Sequence, residues 1–224
     1  MDTRTFNEAI RGTYRMEEYV LKGIIKKSFT EPEDKLPLKK EFDSITSHNY
    51  AVYTYRTQYV QYSWAILTDE WVRALAEVIG KAKTIEVCAG LGYLTKWLKT
   101  YGVDITASDH YHGYYARAHD FPETVQKMNA VRAVKKNPDS EFIILCWPPY
   151  SDRTGDISLK VWDSMKRGQT LVYIGEGECG CNASEAFFRK VMEYKIYQPD
   201  ELKDRLHIPS WFGIHDSISF FKKP

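Results

Sequence analysis

The segment from Thr84 to Asp109 constrains the fold of this chain more than any other. Thr84-Ile85-Glu86-Val87 is a short apolar run that predicts a strand, and Cys88-Ala89-Gly90-Leu91-Gly92-Tyr93 closes it with a tight turn. Glycine at 90 and 92 leaves no Cβ in the way, so the backbone can adopt left-handed angles and approach a ligand closely. Leu94 to Tyr101 predicts a helix that leaves the turn at once and presents its first free N–H groups to the same space. Gly102 to Asp109 predicts a second, β-branched strand ending in an acid. That acid lies about 20 residues beyond the turn, where an open α/β sheet sets a carboxylate against ribose hydroxyls. A nucleoside-bearing ligand is the expectation.

The glycine spacing narrows the ligand. A dinucleotide fingerprint needs a third small residue, and that position holds Thr95; no Gly-Lys-Ser/Thr follows for a phosphate loop. The pattern Glu86-x-Cys88-Ala89-Gly90-x-Gly92-Tyr93 instead resembles motif I of the class I S-adenosylmethionine-dependent methyltransferases, with Ala89 where many members carry glycine. The resemblance implies a Rossmann-like α/β fold, a mainly parallel seven-stranded sheet with an antiparallel C-terminal strand. It implies S-adenosylmethionine as cofactor, lying on Ala89, Gly90, Gly92 and Tyr93. Glu86 would stand near the cofactor's ammonium end and Asp109 at its ribose.

The rest of the sheet is predicted by alternation. Thr68 to Ile79 reads as a helix with Thr68 as N-cap and Gly80 as stop. Thr124 to Met128 predicts a third strand, and the resemblance places Asn129 at its end against the adenine amine. Phe142 to Cys146 is a continuous apolar run, as a central parallel strand requires, and ends in Trp147-Pro148-Pro149-Tyr150. That tetrapeptide is similar to the Asp/Asn/Ser-Pro-Pro-Tyr/Phe motif IV of amino-methyltransferases. By that likeness the Pro148 carbonyl accepts from a target amine and Tyr150 stacks on a planar substrate. Trp147 departs from the pattern, because an indole donates and cannot accept. Cys146 reads as a small buried hydrophobe beside the cofactor, not as a nucleophile.

Further on, Ile157 to Arg167 predicts a helix, Gln169 to Ile174 a fifth strand, and Ser184 to Tyr194 a helix capped by Ser184. Residues 205–224 are expected to supply closing antiparallel strands, the last from Ser217 to Phe221. Glu176, just past the fifth strand, is a candidate for binding an amine or acting as a base; a solvated glycine-rich loop is the alternative. His215 and Asp216 are adjacent, so in a strand they point to opposite faces and need not interact. The histidines at 110, 112 and 119 and the pair Cys179/Cys181 lack zinc-ligand spacing, and no metal is expected. Together with Tyr62 to Ala65, Tyr173 to Gly177 and Ile208 to Asp216, these motifs resemble a functionally undefined methyltransferase-like family across roughly residues 60–224.

The first third differs in character. Phe6 to Phe29 is helix-like, residues 31–40 form a proline-punctuated charged connector, and residues 49–64 are rich in Tyr and Trp without a decisive period. Residues 1–66 are therefore read as a helical, aromatic-rich extension that covers the substrate side, and residues 67–224 as the Rossmann-like domain. Its lysines read as a solvated face, with a nucleic-acid contact as the alternative. A net charge of +1 gives no field to gather a polyanion unaided. No apolar run reaches membrane-spanning length, and four cysteines in no disulfide framework point to a reduced, cytoplasmic setting. The expected activity is methyl transfer to a nucleophile at Trp147–Tyr150, catalysed with Pro148 and Glu176. The acceptor, a nucleic acid or a small molecule, stays open, as does a binding module that kept the fold without turnover.

Overall fold

A computed structural model describes residues 16–46, 51–111, 125–150 and 155–224. Seven strands, β1 (Thr84–Val87), β2 (Ile105–Asp109), β3 (Val125–Lys127), β4 (Phe142–Cys146), β5 (Thr170–Glu176), β6 (Lys195–Ile196) and β7 (Asp216–Lys222), form one sheet. Their order is β3-β2-β1-β4-β5-β7-β6. The first five are mutually parallel, while β7 runs antiparallel to both β5 and β6.

Side-chain alternation divides the sheet into two apolar faces. Ile85, Val87, Ile143, Leu145, Leu171, Tyr173 and Phe221 point to the side covered by α6 (Ala130–Lys136), α7 (Ile157–Ser164) and α8 (Glu185–Val191). Ile144, Val172, Ile174 and Phe220 point to the other. That second face is covered by α1 (residues 16–25), α2 (Lys39–Thr46), α3 (Ala51–Tyr59), α4 (Asp69–Ile79) and α5 (Tyr93–Thr100). Leu21, Ile24, Phe42, Ile45 and Tyr59 from the N-terminal segment lie in the same cluster as Trp71, Trp97 and the strand residues. The extension is thus a layer of the core.

Local chemistry accounts for the main departures from expectation. The aromatic-rich stretch is helical as α3 and then turns, and its Tyr59 hydroxyl accepts the Leu67 N–H at 3.0 Å. Helix α1 ends in a π-turn, Lys26–Thr30, that carries Phe29 into the core. Its predicted first residues, 6–15, lie outside the described residues. Thr68 sits at the N-cap of α4 but makes no capping bond, and its hydroxyl is buried without a partner. The nearby Trp71 indole instead donates to the Ile66 carbonyl at 2.8 Å. The antiparallel edge is not built within 205–224 alone, because β6 precedes it at Lys195–Ile196. Strand β5 continues two residues beyond Ile174, which makes Glu176 its last member.

Three lysines of the extension are paired, Lys22 with Glu18, Lys26 with Glu31, and Lys27 with Glu33 and Glu41. Such surface pairs add little stability.

Candidate active site

The turn after β1 is the first half of the site. Cys88, Gly90 and Gly92 all have positive φ, at 58°, 55° and 79°. Cys88 bears the steric cost of that region for a residue with a side chain, and glycine avoids it at the other two. The turn is held from below by β2. Ala89 donates its N–H to the Ser108 carbonyl at 3.1 Å, and Gly90 donates to the Asp109 carboxylate at 2.9 Å. The other Asp109 oxygen accepts the Tyr111 N–H at 2.6 Å. Burial raises the Asp109 carboxyl above its usual range, and the two N–H groups offset part of the rise. Each carboxylate oxygen retains acceptor capacity beyond these bonds.

Glu86 is engaged by α5. Its carboxyl is buried on the α5 side and accepts the Thr95 N–H at 3.1 Å and the Thr95 hydroxyl at 2.5 Å. Burial pushes it up to about 7, with Thr95 pulling it back and Asp109 pushing it further. Thr95, which breaks the dinucleotide fingerprint, is thus the residue that ties α5 to β1. Tyr93 is buried against the extension, 4.6 Å from Phe29 edge-to-face, and its hydroxyl donates to the Phe29 carbonyl. Asn129 caps α6, its side-chain oxygen accepting the Arg132 N–H at 2.9 Å.

The second half lies at the ends of β4, β5 and the start of β7. Trp147 follows β4 with a left-handed φ of 48° and donates its backbone N–H to the Ile174 carbonyl at 2.8 Å. Its indole N–H donates to Asp216 Oδ1 at 2.8 Å. Trp64 stacks on it with centroids 5.5 Å apart and planes 16° from parallel, and the Arg56 guanidinium stands 5.9 and 5.8 Å from the two rings. Pro148 is buried, Tyr150 is exposed, and Cys146 is packed against the core with its thiol raised by burial.

Glu176 and Asp216 face each other across β5 and β7. Glu176 is engaged by its own loop: one oxygen accepts the Cys181 N–H at 3.1 Å and its thiol at 2.9 Å, and the other accepts the His215 N–H at 3.4 Å. Partial burial raises its carboxyl, and the Cys181 donors outweigh that and leave it below the ordinary value. Gly175, at φ 150°, lets the Asn182 side chain lie against the strand; a Cβ there would come 2.8 Å from Asn182 Oδ1. Asp216 is different. Its Oδ2 is buried without a hydrogen-bond partner, and burial lifts the carboxyl to about 7.

Five parallel strands in the order 3-2-1-4-5, an antiparallel β7 inserted before β6, and a bare turn after β1 held by the acid of β2 decide the architecture. The fold is a Rossmann-like α/β sheet with an antiparallel C-terminal edge. Among solved structures, the chain is similar to TehB of Haemophilus influenzae, at 13% identity and a TM-score of 0.44, over 68% of this chain and 61% of that one. It is similar to magnesium protoporphyrin IX methyltransferase of Synechocystis, solved with bound S-adenosylmethionine, at 13% identity and 0.47, over 68% and 76%. A third, an S-adenosylmethionine-dependent methyltransferase of Archaeoglobus fulgidus, aligns at 12% identity and 0.46, over 78% and 100%. No family model and no curated protein matches the sequence.

Within this fold, the turn and Asp109 gather at the β1 end, and Cys146, Trp147, Pro148 and Glu176 at the ends of β4 and β5. The crevice between β1 and β4 is where strand order reverses, the usual ligand position in open α/β sheets. Sequence reasoning weighed Asp216 only beside His215, and missed Arg56 and the pairing of Trp64 with Trp147. The only available signal for Asp216 was parity: it is in register with Glu176, so both emerge on the Ile174–Ile218 face. Nothing in the sequence pairs residue 56 or 64 with 147. Among the described residues, no three His, Cys, Asp or Glu side chains gather to hold a metal, and no helix is long and apolar enough to cross a membrane. His112 and His119 lie outside the described residues.

Proposed function

We propose that this chain is an S-adenosylmethionine-dependent methyltransferase whose acceptor lies against Trp147–Tyr150. The observation that carries the reading is the left-handed turn from Cys88 to Gly92 fastened to the carboxylate at the end of β2. A backbone cradle of this kind admits the close approach of a nucleoside, and Asp109 keeps acceptor sites for vicinal hydroxyls. Ala89, Gly90 and Gly92 form the cradle, Tyr93 closes its far side, and Cys146 offers a small apolar surface where β4 ends. Glu86 acts here through Thr95, holding α5 at the angle the turn needs. The cofactor, when bound, supplies a methyl group already activated by a positively charged sulfur.

The chain's own work is then orientation and exclusion of water. Buried Pro148 directs a carbonyl at the strand end, exposed Tyr150 offers a face for a planar substrate, and Glu176 fixes the loop that borders them. The acceptor is read as an amine or another nucleophile of a small, planar molecule.

Calorimetry tests the cofactor. S-adenosylmethionine and S-adenosylhomocysteine are expected to bind with roughly micromolar dissociation constants, and NADH not to bind. Asp109→Asn keeps an acceptor for one N–H but removes the charge, and is expected to weaken binding roughly tenfold to a hundredfold. NADH binding in preference, or an Asp109→Asn variant that binds as the natural protein does, overturns the reading.

A further inference from the structure

Among the described residues at the strand ends, Asp216 is a carboxyl group left with a buried oxygen lacking a partner. Of its two oxygens, Oδ1 accepts the Trp147 indole N–H, while Oδ2 is buried and has no partner. Buried carboxylate oxygens are normally paired, and an orphan at a strand's C-terminal edge calls for a donor that the chain does not supply. The chain does not compensate through Arg56. That guanidinium faces the Trp64 and Trp147 rings and lowers the Asp216 carboxyl electrostatically, yet makes no hydrogen bond to it. Nor does Glu176 leave the same vacancy, since its oxygens are taken by Cys181 and His215.

Trp147 is held in a backbone region that disfavours bulky residues, and three contacts fix it there: the Ile174 carbonyl, Asp216 and the Trp64 ring. Strain that is over-determined in this way accumulates at working sites. The sign of the surroundings narrows the ligand further. Above about pH 7, where Asp216 ionises, two carboxylates stand against one guanidinium, and two indole faces favour a planar cation over an anion.

We infer that Asp216, with Trp147 and Trp64, is the recognition site for a planar N–H donor, an amine or amidine on a flat ring. Its N–H is given to Asp216 Oδ2 and its ring is set against the indoles. Resting on the methyltransferase reading, this assigns the acceptor class and gives Asp216 the accepting role that Trp147 cannot fill. Oδ2 is closed to water in this structure, so entry requires a neighbouring side chain to move.

Benzamidine is the probe, with benzoate as its anionic counterpart, and the readout is the set of indole N–H resonances in nitrogen-15 correlation spectra. Trp147→Phe assigns its own signal. Benzamidine is expected to shift the Trp147 and Trp64 signals with roughly millimolar affinity, and benzoate to leave them in place. Asp216→Asn still accepts the indole N–H but presents an amide at Oδ2, and is expected to weaken benzamidine roughly tenfold or more, with S-adenosylhomocysteine affinity unchanged. The natural protein gives a second test should that variant fold poorly. Its benzamidine affinity is expected to rise as pH passes about 7, where Asp216 ionises. The titratable and charged groups around Asp216 are Glu176 and Tyr173 on β5, Cys146 on β4, Arg56 on α3 and the preceding His215. Benzoate shifting the same signals, benzamidine shifting neither, or affinity independent of pH overturns the proposal. S-adenosylhomocysteine binding is read separately, so loss of one conclusion is distinguishable from loss of the other.

Discussion

Glu86 carries a titratable group into the core, and the sign of its effect on stability follows from where it sits. It is 2% exposed, and burial, partly offset by Thr95, raises its carboxyl from 4.5 to about 7. The folded protein therefore holds this proton more tightly than the unfolded chain does. The associated stability is complete below about pH 4.5 and is lost as pH rises through about 7, a change of about 3 kcal/mol. Glu86→Gln keeps an acceptor for Thr95 and has no proton to lose. Urea unfolding at about pH 5 and about pH 8 is expected to show the natural protein losing stability between the two, with a shallower slope in the variant. An unchanged slope would mean that the carboxyl is hydrated in solution. Asp109 and Asp216 push the slope in the same direction, being raised by burial too, so the variant flattens it without abolishing it.

Elements meet at Phe29, on the π-turn after α1. Its ring stacks on Tyr62 at 4.9 Å and lies edge-on to Tyr59 at 5.2 Å and Tyr93 at 4.6 Å. Its carbonyl accepts the Tyr93 hydroxyl, and the Ser28 carbonyl accepts the Trp97 indole N–H at 3.1 Å. One turn of chain thus joins α1, α3 and α5, and α5 begins at the glycine turn. Phe29→Ala opens a cavity among rings that cannot collapse onto it, and is expected to cost about 3–5 kcal/mol in urea unfolding. Because Tyr93 loses its wall, cofactor affinity should fall with stability; a variant destabilised with affinity intact would show that the extension and the turn are uncoupled. At the opposite end, α7 and α8 are joined by Asp156, which caps α7 through Leu159 and accepts from Ser184 at the cap of α8. Ser184 was legible as a cap from the sequence because cap chemistry is local. Thr68, of equally suitable type, does not cap, since tertiary packing buries its hydroxyl.

At the scale of the molecule, the N-terminal layer and the sheet share one apolar cluster from Leu21 to Phe220. A chain beginning at residue 67 would expose the face formed by Trp71, Leu75, Leu94 and Ile144. It is expected to bind a hydrophobic dye and unfold without cooperativity, as denaturant titration would show; a cooperative transition would make the extension a separate unit. The sequence by itself determined the alternation of strands and helices, the bare turn at 89–92 and the acid at 109, because these rest on periodicity, glycine and short separations in the chain. It also marked Trp147 as the residue out of pattern. Only the tertiary structure decided that Glu86 turns to Thr95, that Asn129 caps a helix, and that Trp147 is completed by Asp216 and Trp64. Those pairings join residues 69 and 83 positions apart, and a Trp stacked on a Trp, or an indole N–H on a carboxylate, leaves no periodic trace in a chain. Long-range contacts are fixed by how layers pack, and packing is a property of the folded whole.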